Sequence, residues 1–426
     1  MNAATTFRKA VTTFLGIRRP DLLAGLKQAE WQRNLRWLDR SGLALPLASC
    51  LEKGNSEIPI PPEVADALLL RLADNEKRME SILCIFRETL SALNAAEVRY
   101  CCVKGFTLIP ECFHHIRERH QVDLDFLIDP GDVKRAVSAM ETAGYPLLEA
   151  RSSGELRFSR PRKKHLGVNA WLYQMPETIS IELHTQVWEP EPGAVNLTPP
   201  ENFLNHTVPH EVSGVSLQCL SPSYQFVYLV LHIFRHLASS WVRLLSVYEV
   251  SMLLRKWQAE KDRWEEISVL MESNQNLSSA CALIIEIARR IFDVEPPQLL
   301  AEFCRRSLSA ESTRWLGRHL ESWAFTDPPG NKLALLVQGQ FFHDRSIWHQ
   351  YLLQRLFPRH KTPLLSEDAD PATKESLSFR MEDLLYKADR AWYHFHSNYQ
   401  YLMAQLQRQT AERRRQQIPD RFAGGV

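Results

Sequence analysis

The sequence predicts an α+β fold in which a small mixed β-sheet core is flanked by N- and C-terminal helical regions. Three observations carry this. From Pro20 to about Asn94 apolar residues recur at helical spacing. Between Val98 and Gln218 they shift to short β-type runs. From Ser221 onward the helical spacing returns. The chain therefore divides into a helical region 1–97, a core 98–218 and a helical region 219–426, a partition that its 426 residues readily accommodate.

In the first region, PDLLAGLKQAEWQRNLRWLDRSGL carries Leu23, Leu26, Trp31, Leu35 and Leu38 and breaks at Ser41-Gly42. Ile58-Pro59-Ile60-Pro61-Pro62 is an extended linker, because each proline biases its predecessor away from the helix, and residues 63–94 follow as one long helix. VRYCCVKG opens the core as a short strand ending in glycine, with a helix expected over residues 108–119. The next strand is VDLDFLID. Asp129-Pro130-Gly131-Asp132 then caps a helix that carries Val133, Ala136, Val137 and Met140 and stops at Gly144. Alternation in PLLEA, ELRFS, HLGVNAWLYQ and TISIELHTQV predicts further strands, and residues 208–218 a hairpin. YQFVYLVLHIFRHLA, WVRLLSVYEVSMLLRKW and LSSACALIIEIARRIF predict a helical bundle. A polar, Pro-rich stretch over residues 360–376 then precedes a long last helix.

The 51 basic and 50 acidic residues leave a formal charge of +1, so nothing global favours tight polynucleotide or membrane binding, and any phosphate recognition is local. Eight cysteines without a CxxC pair read as packed, reduced thiols, which favours a cytoplasmic setting. No run approaches the roughly 20 apolar residues that span a bilayer.

The chemistry concentrates at Val122-Asp123-Leu124-Asp125-Phe126. Side chains alternate along a strand, so Asp123 and Asp125 share one face while Leu124 and Phe126 enter the opposite layer. Two adjacent carboxylates repel each other, and divalent cations relieve that repulsion. Glu182, in Ile181-Glu182-Leu183-His184, supplies a third carboxylate if its strand lies beside the first. Asp123, Asp125 and Glu182 are thus the candidate metal ligands and catalytic residues, in the arrangement of a two-metal phosphoryl-transfer site.

Lys104-Gly105, Arg119 four residues before Asp123-Leu124-Asp125, and Glu182-Leu183-His184 together resemble a poorly characterised bacterial nucleotidyltransferase family of the DNA-polymerase-β-like superfamily. His232-Ile-Phe-Arg-His236 is similar to that family's paired helical histidines, and the likeness runs over roughly residues 20–260. The chain departs from the wider superfamily at Phe106, where a second glycine or a serine is usual, and Glu249 stands where the family more often has aspartate.

The resemblance implies a nucleotidyltransferase core that uses Mg2+ or Mn2+ to move an NMP group from an NTP to an acceptor hydroxyl. Asp123, Asp125 and Glu182 hold the ions, Lys104 and Gly105 hold the triphosphate, and Arg119, His184, His232 and His236 line the nucleotide site. A small molecule or a protein is the favoured acceptor. A catalytically silent nucleotide- or protein-binding module and a tRNA or RNA nucleotidyltransferase are the rival expectations.

Other signals have plainer readings. Alone, His232 and His236 form a structural pair on one helix face; at the cleft they would be joined by Arg235 and Arg243. Arg157, Arg160, Arg162, Lys163, Lys164 and His165 form a basic turn suited to an anionic substrate. Trp392-Tyr393-His394-Phe395-His396 reads as core on the last helix.

Overall fold

A computed structural model of the chain describes residues 3–53, 58–151, 154–160, 172–173, 179–188, 195, 197–239, 242–358 and 376–416. The first region is helical throughout: α1 Ala3–Ile17, α2 Gln28–Ser41, α3 Ala44–Glu52 and α4 Pro62–Ala95. Gly42, left-handed at φ 79°, ends α2 where Ser41-Gly42 predicted a break. Pro62 opens α4, where a missing N–H costs nothing.

The core is a mixed seven-stranded sheet: β1 Tyr100–Val103, β2 Asp123–Ile128, β3 Leu147–Ala150, β4 Glu155–Phe158, β5 Ser180–His184, β6 Thr207–Val212 and β7 Val215–Leu220, in the spatial order β3-β4-β5-β2-β1-β7-β6. The α+β class and the predicted hairpin are both present. β2 runs parallel to β5 and β1 parallel to β7; the remaining pairs are antiparallel. One helix, α5 Val133–Thr142, crosses from β2 to β3. Of the strand expected in HLGVNAWLYQ, only Leu172 and Tyr173 lie within the described residues, and they form a turn.

The helix expected over residues 108–119 is absent. Two 3-10 turns, Gly105–Leu108 and Ile116–Glu118, take its place. Pro110 removes a backbone donor and biases Ile109 to the extended conformation seen there (φ −108°, ψ 128°), so the helix cannot propagate through this point.

The sheet buries both faces. Phe126 of β2 stacks on Phe86 of α4, with ring centroids 5.9 Å apart, and Phe86 also meets Phe106 at 4.7 Å. The carboxylate face is covered by α6 Pro222–Ala238 and α7 Leu244–Lys256. Behind them α8 Lys261–Met271, α9 Gln275–Phe292, α10 Gln298–Ser307, α11 Ala310–Arg318, α12 Leu320–Ala324, α13 Leu335–Gln338 and α14 Arg345–Leu356 complete the bundle. All eight cysteines are free and seven are buried, as expected of packed thiols.

At Gly16, α1 meets the end of α9 so closely that an added Cβ would lie 1.6 Å from the Phe292 carbonyl oxygen. Backbone cannot yield as a flexible side chain can. Gly16→Ala is expected to cost at least about 2 kcal/mol, read as a lower denaturant midpoint at unchanged slope.

The last helix, α15 Leu377–Gln416, corrects one expectation. Phe379, Ser397, Tyr401 and Ala404 turn inward, but Trp392 and Phe395 are 64% and 67% exposed. The helix carries two apolar stripes, and the aromatic segment straddles them: the Tyr393 hydroxyl donates to the Gly330 carbonyl at 3.3 Å, whereas the Trp392 and Phe395 rings lie on the stripe that no described part of the chain covers.

Candidate active site

The register of the sheet assembles the site. Asp125 lies directly opposite Glu182 in the parallel β2–β5 pair, and Leu127 opposite His184. Opposed residues present their side chains to the same face, so the third carboxylate joins the aspartates as the pattern required. On the other side of β2, Val103 of β1 faces Asp125, and the chain turns immediately after it. Lys104 thereby reaches over the strand, its Nζ 2.8 Å from Asp125 Oδ1. The turn is tight, with Lys104 at φ 59° and Gly105 at φ 55°. A side chain at Gly105 would strike the Gln121 carboxamide, which donates to the Asp123 carbonyl at 2.9 Å, so the glycine lets the turn and the β2 entry pack together.

His184 Nε2 lies 3.3 Å from Asp125 Oδ1 and 3.8 Å from Glu182 Oε2. One ligand atom each from Asp125, Glu182 and His184 falls within 4.8 Å of the others, a spacing suited to a single metal ion. Asp123, one pleat earlier on the same face, stands outside this tight set but is coupled to it electrostatically.

Burial and mutual repulsion shape the charges. Burial, followed by Asp125 and Asp123, pushes Glu182 up to about 7. Burial and then Asp125 also raise Asp123. Burial alone would raise Asp125, but Lys104 and His184 outweigh it and hold the group below the usual carboxylate range. Burial would lower Lys104, but Asp125 and Asp123 more than reverse it. Asp125 and Lys104 are thus a charged pair, while Asp123 and Glu182 are in excess. That excess is what a divalent cation neutralises, and the donor set of two carboxylates and an imidazole fits one.

A stability consequence follows. Glu182 retains a proton in the folded chain between its ordinary 4.5 and about 7, where the unfolded chain has lost it. The penalty for ionising it in place therefore sets in as pH rises through that window and is complete above it. The melting temperature of metal-free protein is expected to fall across the window, Glu182→Gln to flatten that fall, and the thermal gain from added Mn2+ to grow with pH.

The helical walls hold the remaining predicted residues. His232 and His236 lie on α6 with their Nε2 atoms 2.9 Å apart. Burial, reinforced by Lys104, holds His232 well below its usual value and His236 at about 3, so both are neutral imidazoles beside the lysine. Arg119 is buried, and its Nε donates to Glu249 Oε1 of α7 at 2.7 Å. Of the basic turn, Arg157 pairs with Glu149 at 3.1 Å, and Arg160 pairs with Glu88 at 2.6 Å while lying over the Tyr145 ring. Arg162, Lys163, Lys164 and His165 lie outside the described residues.

Sequence reading did not find Arg78 or His120, nor what Glu249 does. A signal existed for the first: Arg71, Asn75 and Arg78 occupy positions three and four apart on the buried stripe of α4, where apolar residues would be expected.

No curated protein and no solved structure matches the chain. A family model described as an uncharacterised nucleotidyltransferase matches residues 27–293, from α2 through the sheet to the end of α9. With that match spanning the carboxylate face and both its walls, the chain belongs to this nucleotidyltransferase family.

Proposed function

We propose that the chain transfers a nucleoside monophosphate from an NTP to an acceptor hydroxyl, using a divalent cation held on the face of β2 and β5. The observation that carries this is the convergence of Asp125, Glu182 and His184 within 4.8 Å, with Asp123 in excess charge beside them. Family membership supports a nucleotide substrate.

Asp123, Asp125 and Glu182 hold the cation in this reading, with His184 as a further donor; an imidazole suits Mn2+ better than Mg2+. Once bound, the cation lowers the pKa of the acceptor hydroxyl and offsets charge on the triphosphate. Glu182, opposite Asp125 on the same face, receives the hydroxyl proton. Lys104 keeps Asp125 ionised and oriented, and offers a point charge to phosphate. The catalytic core comprises residues 98–218, and regions 1–97 and 219–426 wall the cleft. A small molecule or a protein is the acceptor favoured by the balanced net charge.

The test is incubation of the protein with each labelled NTP, Mn2+ or Mg2+, and cell extract. Label transfer that depends on Asp123 supports the reading. NTP binding that needs no cation and releases no pyrophosphate would instead indicate a silent module.

A further inference from the structure

Next to the site stand two arginines, buried Arg78 and half-buried Arg243, that the proposed chemistry does not use. Arg78 of α4 is 5% exposed, and its Nη1 donates to Met79 Sδ at 3.9 Å. Arg243, at the start of α7, donates from Nη2 to His120 Nδ1 at 2.7 Å. His120 passes its own Nε2–H to the Leu172 carbonyl at 3.0 Å, so it is a neutral acceptor toward Arg243. The carboxylates in this wall are committed elsewhere: Asp39 takes Arg71 at 2.7 Å and the Tyr173 hydroxyl at 3.0 Å, and Glu249 takes Arg119. Among the described residues, Arg78 and Arg243 therefore have no carboxylate in ion-pair contact. Burial and then Arg243 lower Arg78 to about 10, while burial and then Arg119 lower Arg243, against which Tyr173, Asp123 and Glu249 pull only in part. Two such groups are costly unless an anion joins them.

We propose that Arg78 and Arg243, the latter positioned by His120, form an anion pocket beside Asp123 that receives the terminal phosphates of a nucleoside triphosphate. The assignment rests on the nucleotidyltransferase reading for the identity of the anion. Planar guanidiniums match phosphate oxygens in pairs, and a partly desolvated site strengthens each contact. Asp123, whose charge acts on Arg243, links this pocket to the cation site.

The proposal predicts opposite effects on stability and binding. Arg78→Met and Arg243→Met remove charge that no described carboxylate pairs, so the melting temperature is expected to hold or rise, while affinity for inorganic tripolyphosphate and for NTP, measured by calorimetry, falls at least about 10-fold. Arg78→Lys should restore part of the binding. Unchanged tripolyphosphate affinity in both Met variants overturns the pocket, as does a lower melting temperature with binding intact. Loss of tripolyphosphate binding with NTP affinity unchanged would place an acceptor's phosphate there and overturn the assignment to triphosphate. If wild type binds tripolyphosphate through these arginines yet transfers no label from any NTP, the pocket stands and the transferase reading falls.

A separate observation concerns α15. Met381, Leu385, Ala388, Trp392, Phe395, Tyr399, Leu402 and Leu406 alternate at spacings of four and three, and all are exposed. That is the 3.5-residue repeat of a supercoiled helix pair, not the 3.6 of a helix lying on a globular core. The stripe exposes roughly 800 Å² of apolar surface, about one partner's share of a stable interface. We infer that it pairs antiparallel with the same helix of a second copy. This register sets Trp392 against Phe395 and small Ala388 against large Tyr399, and it opposes the helix dipoles; a parallel pair would stack Trp392 on Trp392 and leave Ala388 facing Ala388.

Light scattering of the full chain should give a dimer at micromolar concentration, and Trp392→Glu with Leu402→Glu a folded monomer. Air oxidation of a mixture of Leu385→Cys and Leu402→Cys chains should give a disulfide-linked heterodimer. A wild-type monomer, or a dimer unaffected by the glutamates, overturns the inference. So does faster crosslinking of Leu402→Cys to itself.

Discussion

Asp125→Asn is expected to lower nucleotidyl transfer by at least about 1,000-fold, since it removes several kcal/mol of cation-mediated charge stabilisation. Asp125 is the member of the cluster that touches everything else: it opposes Glu182 in the sheet, lies 3.3 Å from His184 and pairs with Lys104 at 2.8 Å. The substitution also strands a buried ammonium, so stability should fall with activity. The double change Asp125→Asn with Lys104→Met separates the two, because it recovers much of the melting temperature and none of the transfer. Asp123→Asn supplies the cleaner kinetic test, having no lysine in direct contact. Full cation-dependent transfer by either single variant would remove these residues from the mechanism.

The second large effect is on folding. Glu249 is 1% exposed and holds the buried Arg119. Burial would lower Arg119, and Glu249 is the principal group that keeps it charged. Glu249→Leu is expected to cost about 3–5 kcal/mol by leaving a guanidinium unpaired, whereas Arg119→Met with Glu249→Leu should restore most of that loss. Chemical denaturation of wild type, Glu249→Leu, Arg119→Met and the double variant measures the coupling directly. A Glu249→Asp variant should sit between them, its shorter side chain lengthening the 2.7 Å contact.

Much of this site was legible because a strand has a fixed period. Alternation alone put Asp123 and Asp125 on one face and Phe126 on the other, and the same rule carried Glu182 and His184 to that face once β5 lay beside β2. The pairing itself was conditional in the sequence, since nothing in IELH specifies its neighbour. Local chemistry misled at residues 108–119, where helical spacing was outweighed by one proline. Trp392 and Phe395 misled for another reason: aromatic residues on a helix report that something covers them, and a single chain does not say whether the cover is its own. Arg78 stood out on its helix stripe, but the roles proposed for it and for His120 were beyond reach because they depend on which carboxylates are already taken, a property of tertiary packing.

The parallel pairing of β2 with β5 has a consequence for how the protein folds. Asp125 and His184 meet across 59 residues of sequence, with α5 and the β3–β4 hairpin lying between them. A cation therefore has no site to occupy until that long loop has closed and the central strands have found their register. It acts on the finished sheet and not on its nucleus. Divalent ions should accordingly slow unfolding while leaving the refolding rate nearly unchanged, which makes the unfolding limb of a chevron a gauge of site occupancy that requires no knowledge of the acceptor.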